Sequence, residues 1–428
     1  MSGDALLAQL SRLFEQDPLI DEVGLLFGLE PSDLTVDTAF LLEHHKLGVA
    51  FAAGPALFQA ARAQFHRLNA RLRQLAAEET AKSVDMEQLQ RTQLLHCTRA
   101  ILLVSADFYT AWNTRKSFVT RGWLDAQDDM RFTNLIFTLH PKSIDTWAHR
   151  RWLATRLCAA LSGDDLQVFY KQQIEDASRL ADQKPRNYHA WSFRHWIVCR
   201  LSTLSTVEEL DRMGHWCRQH VSDHSGWNHR QHTLNQLVHQ HEHEPDGSLP
   251  STTMILAELE FVSDVMAPYS THEALWCHRR YVMQRLLEQV QTSHDGMADV
   301  SPVLVRISQV AGRLSNAEQE SPDAATLRSA WDETRKTLSS DRVHVSSVAR
   351  ATLCEIEIAW KCQHVCSRRY AAWCLARLRA FLRDDERRVG EKVAHKALQH
   401  ELGLMETSLH KQLTHEDSTL ENLWLHLR

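Results

Sequence analysis

The chain has 428 residues, of which 43% are hydrophobic and 24% are charged, and its formal net charge is −6. This composition is typical of a soluble folded protein. The net negative charge argues against a nucleic-acid binder and against a broad surface that binds anionic membranes. The nine cysteines form no Cys-x-x-Cys pair, which indicates core residues of a reducing compartment. No apolar run approaches the roughly 20 residues that cross a bilayer, so we expect a cytoplasmic chain without membrane insertion.

The first 90 residues predict an N-terminal helical cap. Residues 4–14 carry apolar side chains at helical spacing, and residues 17–24 follow as an extended segment. Residues 41–90 predict two further helices, the second rich in alanine, leucine, arginine and glutamine.

Residues 91–290 predict five copies of one unit, in which two helices flank a short turn. In the third copy Pro185 and Asn187 favour the turn, because proline presets its own φ and asparagine tolerates turn geometry. The helix that follows presents Trp191 and Arg194 on one face. The unit is therefore a helical hairpin with a tryptophan near the start of its second helix.

The Trp-x-x-Arg pair recurs at intervals of roughly 35 to 50 residues, which is the mark of a repeat protein. Its copies are Trp112 with Arg115, Trp147 with Arg150, Trp191 with Arg194, Trp227 with Arg230, and Trp276 with Arg279; a sixth, degenerate copy contains Trp373. One hairpin cannot bury its own apolar side, so neighbours must stack. The sequence predicts an all-α fold, an α-solenoid of helical hairpins. We expect the tryptophans in its core and the arginines bound to backbone or carboxylates of the adjacent repeat.

Three segments interrupt or follow the array. Residues 241–252 predict a polar loop, and residues 291–345 predict a polar insertion with partial helix at 303–314 and 324–338. Whether this insertion folds alone stays open. Residues 346–428 predict the sixth hairpin and C-terminal capping helices.

Candidate metal ligands outside the repeats are weak. The His/Glu tract of residues 239–244 falls in the predicted loop, where no ligand geometry is fixed. Cys362 and Cys366 share one face of a predicted helix while His364 points away, which is poor zinc spacing. We expect no metal site in this chain.

Two of the turns resemble the repeat of protein prenyltransferase α subunits. The resemblance lies in the segments Asn187-Tyr188-His189-Ala190-Trp191 and Pro141-Lys142, the second of which precedes Trp147. It extends over roughly residues 105–380. It points to a divergent branch beside the farnesyl and geranylgeranyl transferase α chains. The resemblance implies a right-handed α-solenoid, a crescent of antiparallel helical hairpins wrapped around a β subunit. That β subunit would be an α/α barrel that holds the catalytic zinc and the isoprenoid diphosphate. No cofactor would then belong to this chain.

The resemblance also implies site residues. The lysine that approaches the diphosphate in the family corresponds to Lys142, and the family contacts of the third repeat correspond to Tyr188 and His189. A cation aimed at the leaving oxygens acts where negative charge develops, and its loss commonly costs ~10²–10³-fold in rate. Ile144 stands where the family has a tyrosine, so one hydroxyl contact is missing.

The function that the resemblance implies is that of an α-type subunit in a heterodimeric protein prenyltransferase. It would transfer an isoprenoid, geranylgeranyl rather than farnesyl, to a C-terminal cysteine of a protein substrate. By analogy the partner would be a β subunit of the Rab geranylgeranyltransferase type. The alternative is a non-catalytic helical-repeat adaptor that binds a partner protein. A tetratricopeptide-type peptide binder is disfavoured, because the repeats lack a Trp-x-x-Leu-Gly signature.

Overall fold

A computed structural model describes residues 2–75 apart from 31 and 33, 82–243, 251–292 and 347–389 apart from 363, and positions 400, 402–407, 409, 410 and 413. The chain divides into two compact units, Met1–Ser202 and Thr203–Arg428. In both units helices dominate, which confirms the predicted all-α class. The predicted insertion lies outside the described residues apart from its first two positions, as do the helices expected at 303–314 and 324–338.

The first unit begins with a helix and a small sheet. Helix α1 (Gly3–Gln16) precedes strands β1 (Glu22–Leu26), β2 (Phe40–Glu43) and β3 (Lys46–Ala50) and a 3₁₀ turn at Phe51–Ala53. The sheet order is β1-β3-β2, with β1 parallel and β2 antiparallel to β3. On β1, Thr138 exchanges two hydrogen bonds of 3.1 Å with the backbone of Val23, so a side chain from a later helix contacts this strand.

The sheet corrects the expectation of helix from residue 41 and of a purely helical cap over residues 1–90. Residues 41–50 fold as a hairpin because His44 and His45 both adopt positive φ, at 48° and 64°, as a two-residue hairpin turn requires. In β3, Leu47 and Val49 are buried on one face. Their spacing has period 2, which is the period of a strand.

The rest of the first unit is helical. It contains α2 (Gly54–Leu75), α3 (Lys82–Val104), α4 (Tyr109–Thr120), α5 (Ala126–Leu139), α6 (Ile144–Cys158), α7 (Gly163–Gln183) and α8 (Tyr188–Val198). Helices α3–α4, α5–α6 and α7–α8 form successive hairpins, and the second helices α4, α6 and α8 pack side by side.

The second unit repeats this plan. It contains α9 (Thr203–Gln219), α10 (His224–His243), α11 (Ser251–Tyr269), α12 (Glu273–Thr292), α13 (Ser347–Cys362) and α14 (Val365–Val389), paired in that order as hairpins. The loop expected at residues 241–252 is helical at both described ends, since α10 runs through His243 and α11 begins at Ser251. Histidine, glutamine and glutamate are tolerated inside a helix, so residues 241–243 continue α10. The rest of the predicted loop lies outside the described residues. None of the described helices has the length and apolar character needed to cross a bilayer.

Each repeat tryptophan is buried, and most are tied to the turn in front of their own helix. The indole N–H donates to the carbonyl oxygen six residues earlier, at 2.7–2.9 Å, in the pairs Trp112–Ala106, Trp147–Pro141, Trp227–Val221 and Trp276–Ser270. Because the ring fills the core while its N–H holds a turn carbonyl, each tryptophan fixes the turn against the second helix.

The repeat arginines bind carboxylates of the following hairpin, as the sequence pattern suggested. The ion pairs are Arg115–Asp129, Arg150–Asp176, Arg230–Glu258 and Arg279–Glu355, with N–O distances of 2.5–2.7 Å. Apart from Asp176, which is partly exposed, all of these side chains are buried. The ion pairs therefore join consecutive hairpins within each unit.

A histidine two positions after the tryptophan completes this arrangement in three hairpins. His149 donates from Nε2 to Asp129 at 2.7 Å, and His278 donates from Nε2 to Glu258 at 2.6 Å. His229 is paired with Glu209 in the same way at 2.9 Å. Asp129 and Glu258 therefore each bind the arginine of the preceding hairpin and the histidine of their own hairpin.

Candidate functional site

The family-matched residues Lys142, Tyr188 and His189 lie at two neighbouring hairpin turns of the first unit. Lys142 belongs to the turn between α5 and α6, whereas Tyr188 and His189 are the first two residues of α8. Lys142 and Tyr188 are exposed, and His189 is half-buried. The turns present them at the same end of adjacent hairpins because both follow a first helix and open a second one.

Two reciprocal hydrogen bonds join these turns. The Nζ atom of Lys142 donates to the carbonyl oxygen of Pro185 at 3.0 Å. In the opposite direction, Nδ2 of Asn187 donates to the carbonyl oxygen of Pro141 at 2.8 Å. Lys142 is therefore held against the turn that opens α8, while its side chain stays exposed.

Capping residues fix where the second helices begin. The Ser143 hydroxyl accepts the backbone N–H of Thr146 at 3.1 Å, and the Asn187 side-chain oxygen accepts the backbone N–H of Ala190 at 3.2 Å. Asn187 thus caps α8 and binds the neighbouring turn at the same time. Serine and asparagine are strongly preferred at this position because their side chains satisfy free N–H groups.

The joined turns continue to the preceding hairpin. An oxygen of Asp107, in the turn between α3 and α4, accepts the Ser143 hydroxyl at 2.6 Å and the backbone N–H of Asp145 at 3.2 Å. Burial, and then the nearby charge of Asp107, raise the pKa of Asp145. Three consecutive turns therefore form one hydrogen-bonded edge in the first unit, which we call the turn edge.

Large side chains stand exposed along the turn edge at the first residue of each second helix. Tyr109 is 62% exposed, Ile144 is 61% exposed and Tyr188 is 68% exposed. Equivalent helix positions place them in one row. The middle residue of this row, Ile144, has no hydroxyl group, in contrast to the tyrosines on either side.

The turn edge has the chemistry of an anion site. An ammonium carries three N–H donors, so the bond from Lys142 to Pro185 leaves two for a ligand. The N-terminus of α8 adds the positive end of a helix dipole and first-turn backbone N–H groups that have no acceptor within the helix. His189 and Tyr188 add donors on the first turn of the same helix. A diphosphate oxygen is the kind of ligand that such donors bind.

A second cationic surface, which the sequence did not reveal, follows the second helices. Lys116 lies over the Trp152 ring at 5.9 Å, and Arg151 and Arg200 lie over the Trp196 ring at 5.8 Å and 4.1 Å. Burial, and then the like charge of Arg200, lower the pKa of Arg151. No described carboxylate forms a salt bridge with these three cations, so the surface suits an acidic partner. The only sequence feature that could have indicated this cationic surface is that Arg151 directly follows the buried repeat residue Arg150.

Potential metal ligands do not cluster in the described part of the chain. No three histidine, cysteine, aspartate or glutamate side chains there are placed to share an ion. Histidines 239, 241 and 243 lie on the last turns of α10. His364 and Cys366 meet only through a bond of 3.3 Å from the Cys366 backbone N–H to the imidazole.

Comparison with known proteins shows which kind of repeat the hairpins resemble. The model of the protein prenyltransferase alpha subunit repeat matches residues 126–157, 170–201 and 207–237, which coincide with the hairpins α5–α6, α7–α8 and α9–α10. The chain is 29% identical to human protein prenyltransferase alpha subunit repeat-containing protein 1 over 321 residues, 65% of this chain and 76% of the relative.

Other relatives match over shorter lengths. The zebrafish protein of the same name is 32% identical over 50% of this chain and 60% of its own length. Mouse geranylgeranyl transferase type-2 subunit alpha is 25% identical over 51% of this chain and 42% of its own length. The chain thus spans less than two thirds of both proteins, and the similarity to the transferase subunit is the weaker of the two.

Proposed function

We propose that the chain is the alpha-type subunit of a heterodimeric protein prenyltransferase, because the model of the protein prenyltransferase alpha subunit repeat matches three of its hairpins. These matches confirm the resemblance found in the repeat sequence. The reaction would be transfer of a geranylgeranyl group to a cysteine of a protein substrate in the cytoplasm. Similarity to geranylgeranyl transferase type-2 subunit alpha supports this choice of lipid over farnesyl.

The observation that carries the proposal is the position of Lys142. Its ammonium is exposed, yet the hydrogen bond to Pro185 holds it beside the N-terminus of α8. A lysine with no role is usually free in solvent, whereas this one is restrained next to two further donors. The restraint reduces the entropy lost when the ammonium binds an anion.

In the proposed reaction the cysteine thiolate bonds to the allylic carbon of the isoprenoid. The carbon–oxygen bond to the diphosphate breaks, and its electron pair leaves with the diphosphate oxygens. Lys142 and His189 stabilise the charge that develops on these oxygens, and the Tyr188 hydroxyl donates to them. With isoleucine at 144 the site has one donor fewer than the family pattern, so Lys142 carries a larger share.

The partner would be a β subunit that binds the zinc and the isoprenoid diphosphate. A β chain of the Rab geranylgeranyltransferase type is favoured, since the type-2 alpha subunit is among the relatives. The protein substrate would present a C-terminal cysteine. The surface of Lys116, Arg151 and Arg200 would contact acidic groups of the partner and assist pairing.

The test is co-expression with β subunits, followed by geranylgeranyl transfer assays on the purified pair. Lys142→Ala should lower kcat about 10²-fold, because it removes a cation from the developing charge. Lys184→Ala is the matched control, since this exposed lysine precedes Pro185 in the same region and forms no bond across the turns. The control should retain activity, and both variants should pair with the β subunit as the parent chain does.

Pairing without transfer, or transfer that is indifferent to Lys142→Ala, would contradict the enzymatic proposal. The second candidate function, a helical-repeat adaptor, would then stand. Two observations favour it: the exposed Ile144 replaces a hydroxyl donor, and Trp373 lies in the middle of α14 instead of near a helix start.

A further inference from the structure

A cavity of about 480 Å³ opens in the first unit where the sheet meets α2 and α3. Its volume falls in the range of small-molecule sites, about 300–1,000 Å³. Its walls come from both layers and are almost entirely apolar, including Leu10, Val49, Leu57, Phe58, Leu103 and Val104. None of Lys142, Tyr188 and His189 lines the cavity, and its proposed role does not depend on the proposed function.

The mouth of the cavity is apolar as well. Leu25 and Phe51 line it and are 42% and 61% exposed. The ring of Phe27, which is 73% exposed, lies 5.4 Å from the Phe51 ring, centroid to centroid. Large apolar side chains grouped around an opening are unusual on a protein surface and mark a site that binds something apolar.

One end of the cavity is polar. Among the described residues that line it, only Ser105 and His140 have polar side chains. Nε2 of His140 is 2.8 Å from the carbonyl oxygen of Leu103, and a carbonyl can only accept, so Nε2 carries the proton. In the neutral ring Nδ1 is then an acceptor, which suits a ligand with a hydroxyl donor.

The lining also selects against acids. It contains no lysine or arginine among the described residues, so a carboxylate or phosphate inside would lose its hydration without gaining a cation. Burial of such an unpaired charge is strongly unfavourable, whereas a hydroxyl needs only one hydrogen bond. A single apolar side chain of a partner protein would leave most of the volume empty.

We propose that this cavity binds an aliphatic molecule with one hydroxyl group, its chain between the sheet and α2 and its hydroxyl at His140. The hydrophobic effect supplies the affinity, and the imidazole sets the orientation. The function of the turn edge is not involved.

The experiment titrates the full chain with 1-decanol, with saturable heat and a rise in Tm as readouts. Decyl methyl ether has the same chain without a hydroxyl proton and should bind about five-fold more weakly, the factor expected for one ordinary hydrogen bond. Decanoate at pH 8 should bind at least about ten-fold more weakly, because its charge has no partner in the lining.

A substitution at Gly54 tests the location. Gly54 lines the cavity in helical conformation, and a Cβ there would lie 3.9 Å from Val104, an ordinary contact. Gly54→Leu should therefore fold and fill the cavity, so that decanol binding is lost without a fall in the Tm of the free chain. The matched control is Gly403→Leu, at a helical glycine of the second unit with open space around it, and it should bind decanol as the parent chain does.

Three results would overturn the proposal. They are the absence of saturable decanol binding, decanoate binding as tight as decanol binding, and unchanged decanol binding in a folded Gly54→Leu chain.

Discussion

Glu258 shows at the residue scale how the hairpins are joined. Both of its oxygens accept from Arg230 at 2.7 Å, and one also accepts from His278 at 2.6 Å. Burial alone would raise its pKa, but the charge of Arg230 and the bond from His278 lower the pKa of Glu258 to about 2. Burial lowers the pKa of His278 despite this neighbour. An anion, a cation and a neutral imidazole therefore share one buried site.

Removal of this anion should destabilise the second unit. Glu258→Gln leaves the buried guanidinium of Arg230 without a counter-charge, so we expect a loss of about 3–5 kcal/mol in the free energy of unfolding, measured in urea. Asp211→Asn, at an exposed position of α9, is the control and should change stability by less than about 0.5 kcal/mol. A Glu258→Gln chain as stable as the control would show that the ion pair does not join the hairpins.

The sequence predicted the tryptophans and arginines of these sites but not their acids or histidines. Aromatic residues at a long, regular spacing are rare enough to be noticed. A single Asp129 or Glu258 on an amphipathic helix looks the same as a solvated charge, because only the fold brings it to an arginine of another hairpin. The one available signal was the histidine before the arginine in three copies, at His149, His229 and His278.

At the element scale, Asn187 decides both where α8 begins and where the neighbouring turn lies. Its side-chain oxygen caps the helix, and its amide nitrogen holds Pro141. The side chain is fully buried, so neither bond can be replaced by water. The position of Lys142 relative to α8 thus depends on one buried residue.

Asn187→Ala should cost about 1–2 kcal/mol, since it removes the cap and the bond to the neighbouring turn. Asn187→Ser keeps a capping oxygen but cannot reach Pro141, so its loss should be intermediate. Urea unfolding measures the three chains, and an active pair would also show a lower kcat for both variants because Lys142 loses its support. Equal stability of all three chains would contradict this account.

Helical hairpins were predictable as elements, whereas the sheet was not. The hairpins have strong apolar periodicity and a repeated turn, and these two signals agree. Residues 40–50 have two short apolar runs around His44-His45, which is not one of the Asn-Gly, Asp-Gly or Gly-Gly pairs that usually mark a two-residue hairpin turn. The pairing of β1 with β3 is parallel and spans a long loop, which no local pattern encodes.

At the scale of the whole molecule, the histidines with lowered pKa values and Glu258 share one direction of pH dependence. Burial lowers the pKa of His149 and His278 below the ordinary 6.5, and it lowers those of His96 and His232 as well. The unfolded chain therefore takes up protons below about pH 6.5 that the folded chain does not, which favours unfolding. The lowered pKa of Glu258 acts in the same sense below 4.5, down to about 2.

Stability should hence be constant between about pH 7 and 8 and fall as the pH drops below about 6.5. Each buried histidine contributes a slope of up to about 1.4 kcal/mol per pH unit until its folded-state pKa is reached. Urea unfolding at pH 7.5, 6.5 and 5.5 measures the slope, and His278→Gln should reduce it. Stability that is flat or rising on acidification would refute the assignment of neutral buried histidines.

The order of the six hairpins in the described part of the chain could be predicted at this scale, because the repeat itself encodes it. The division into two units after Ser202 could not, since the repeat continues without a change of pattern from α8 to α9. The cavity between the sheet and α2 was also beyond prediction, because it arises from elements that are distant in sequence and one of them was not foreseen.

The shared carboxylates have a consequence for how such a stack comes apart. A hairpin that frays from the end takes with it the counter-ion of a guanidinium still buried in its neighbour, as Glu258 would for Arg230. Peeling off one layer therefore weakens the next layer before it has moved. Within a unit the layers should open together as one exchange-protected block, so amide hydrogen exchange would report a single opening energy instead of a gradient from the ends.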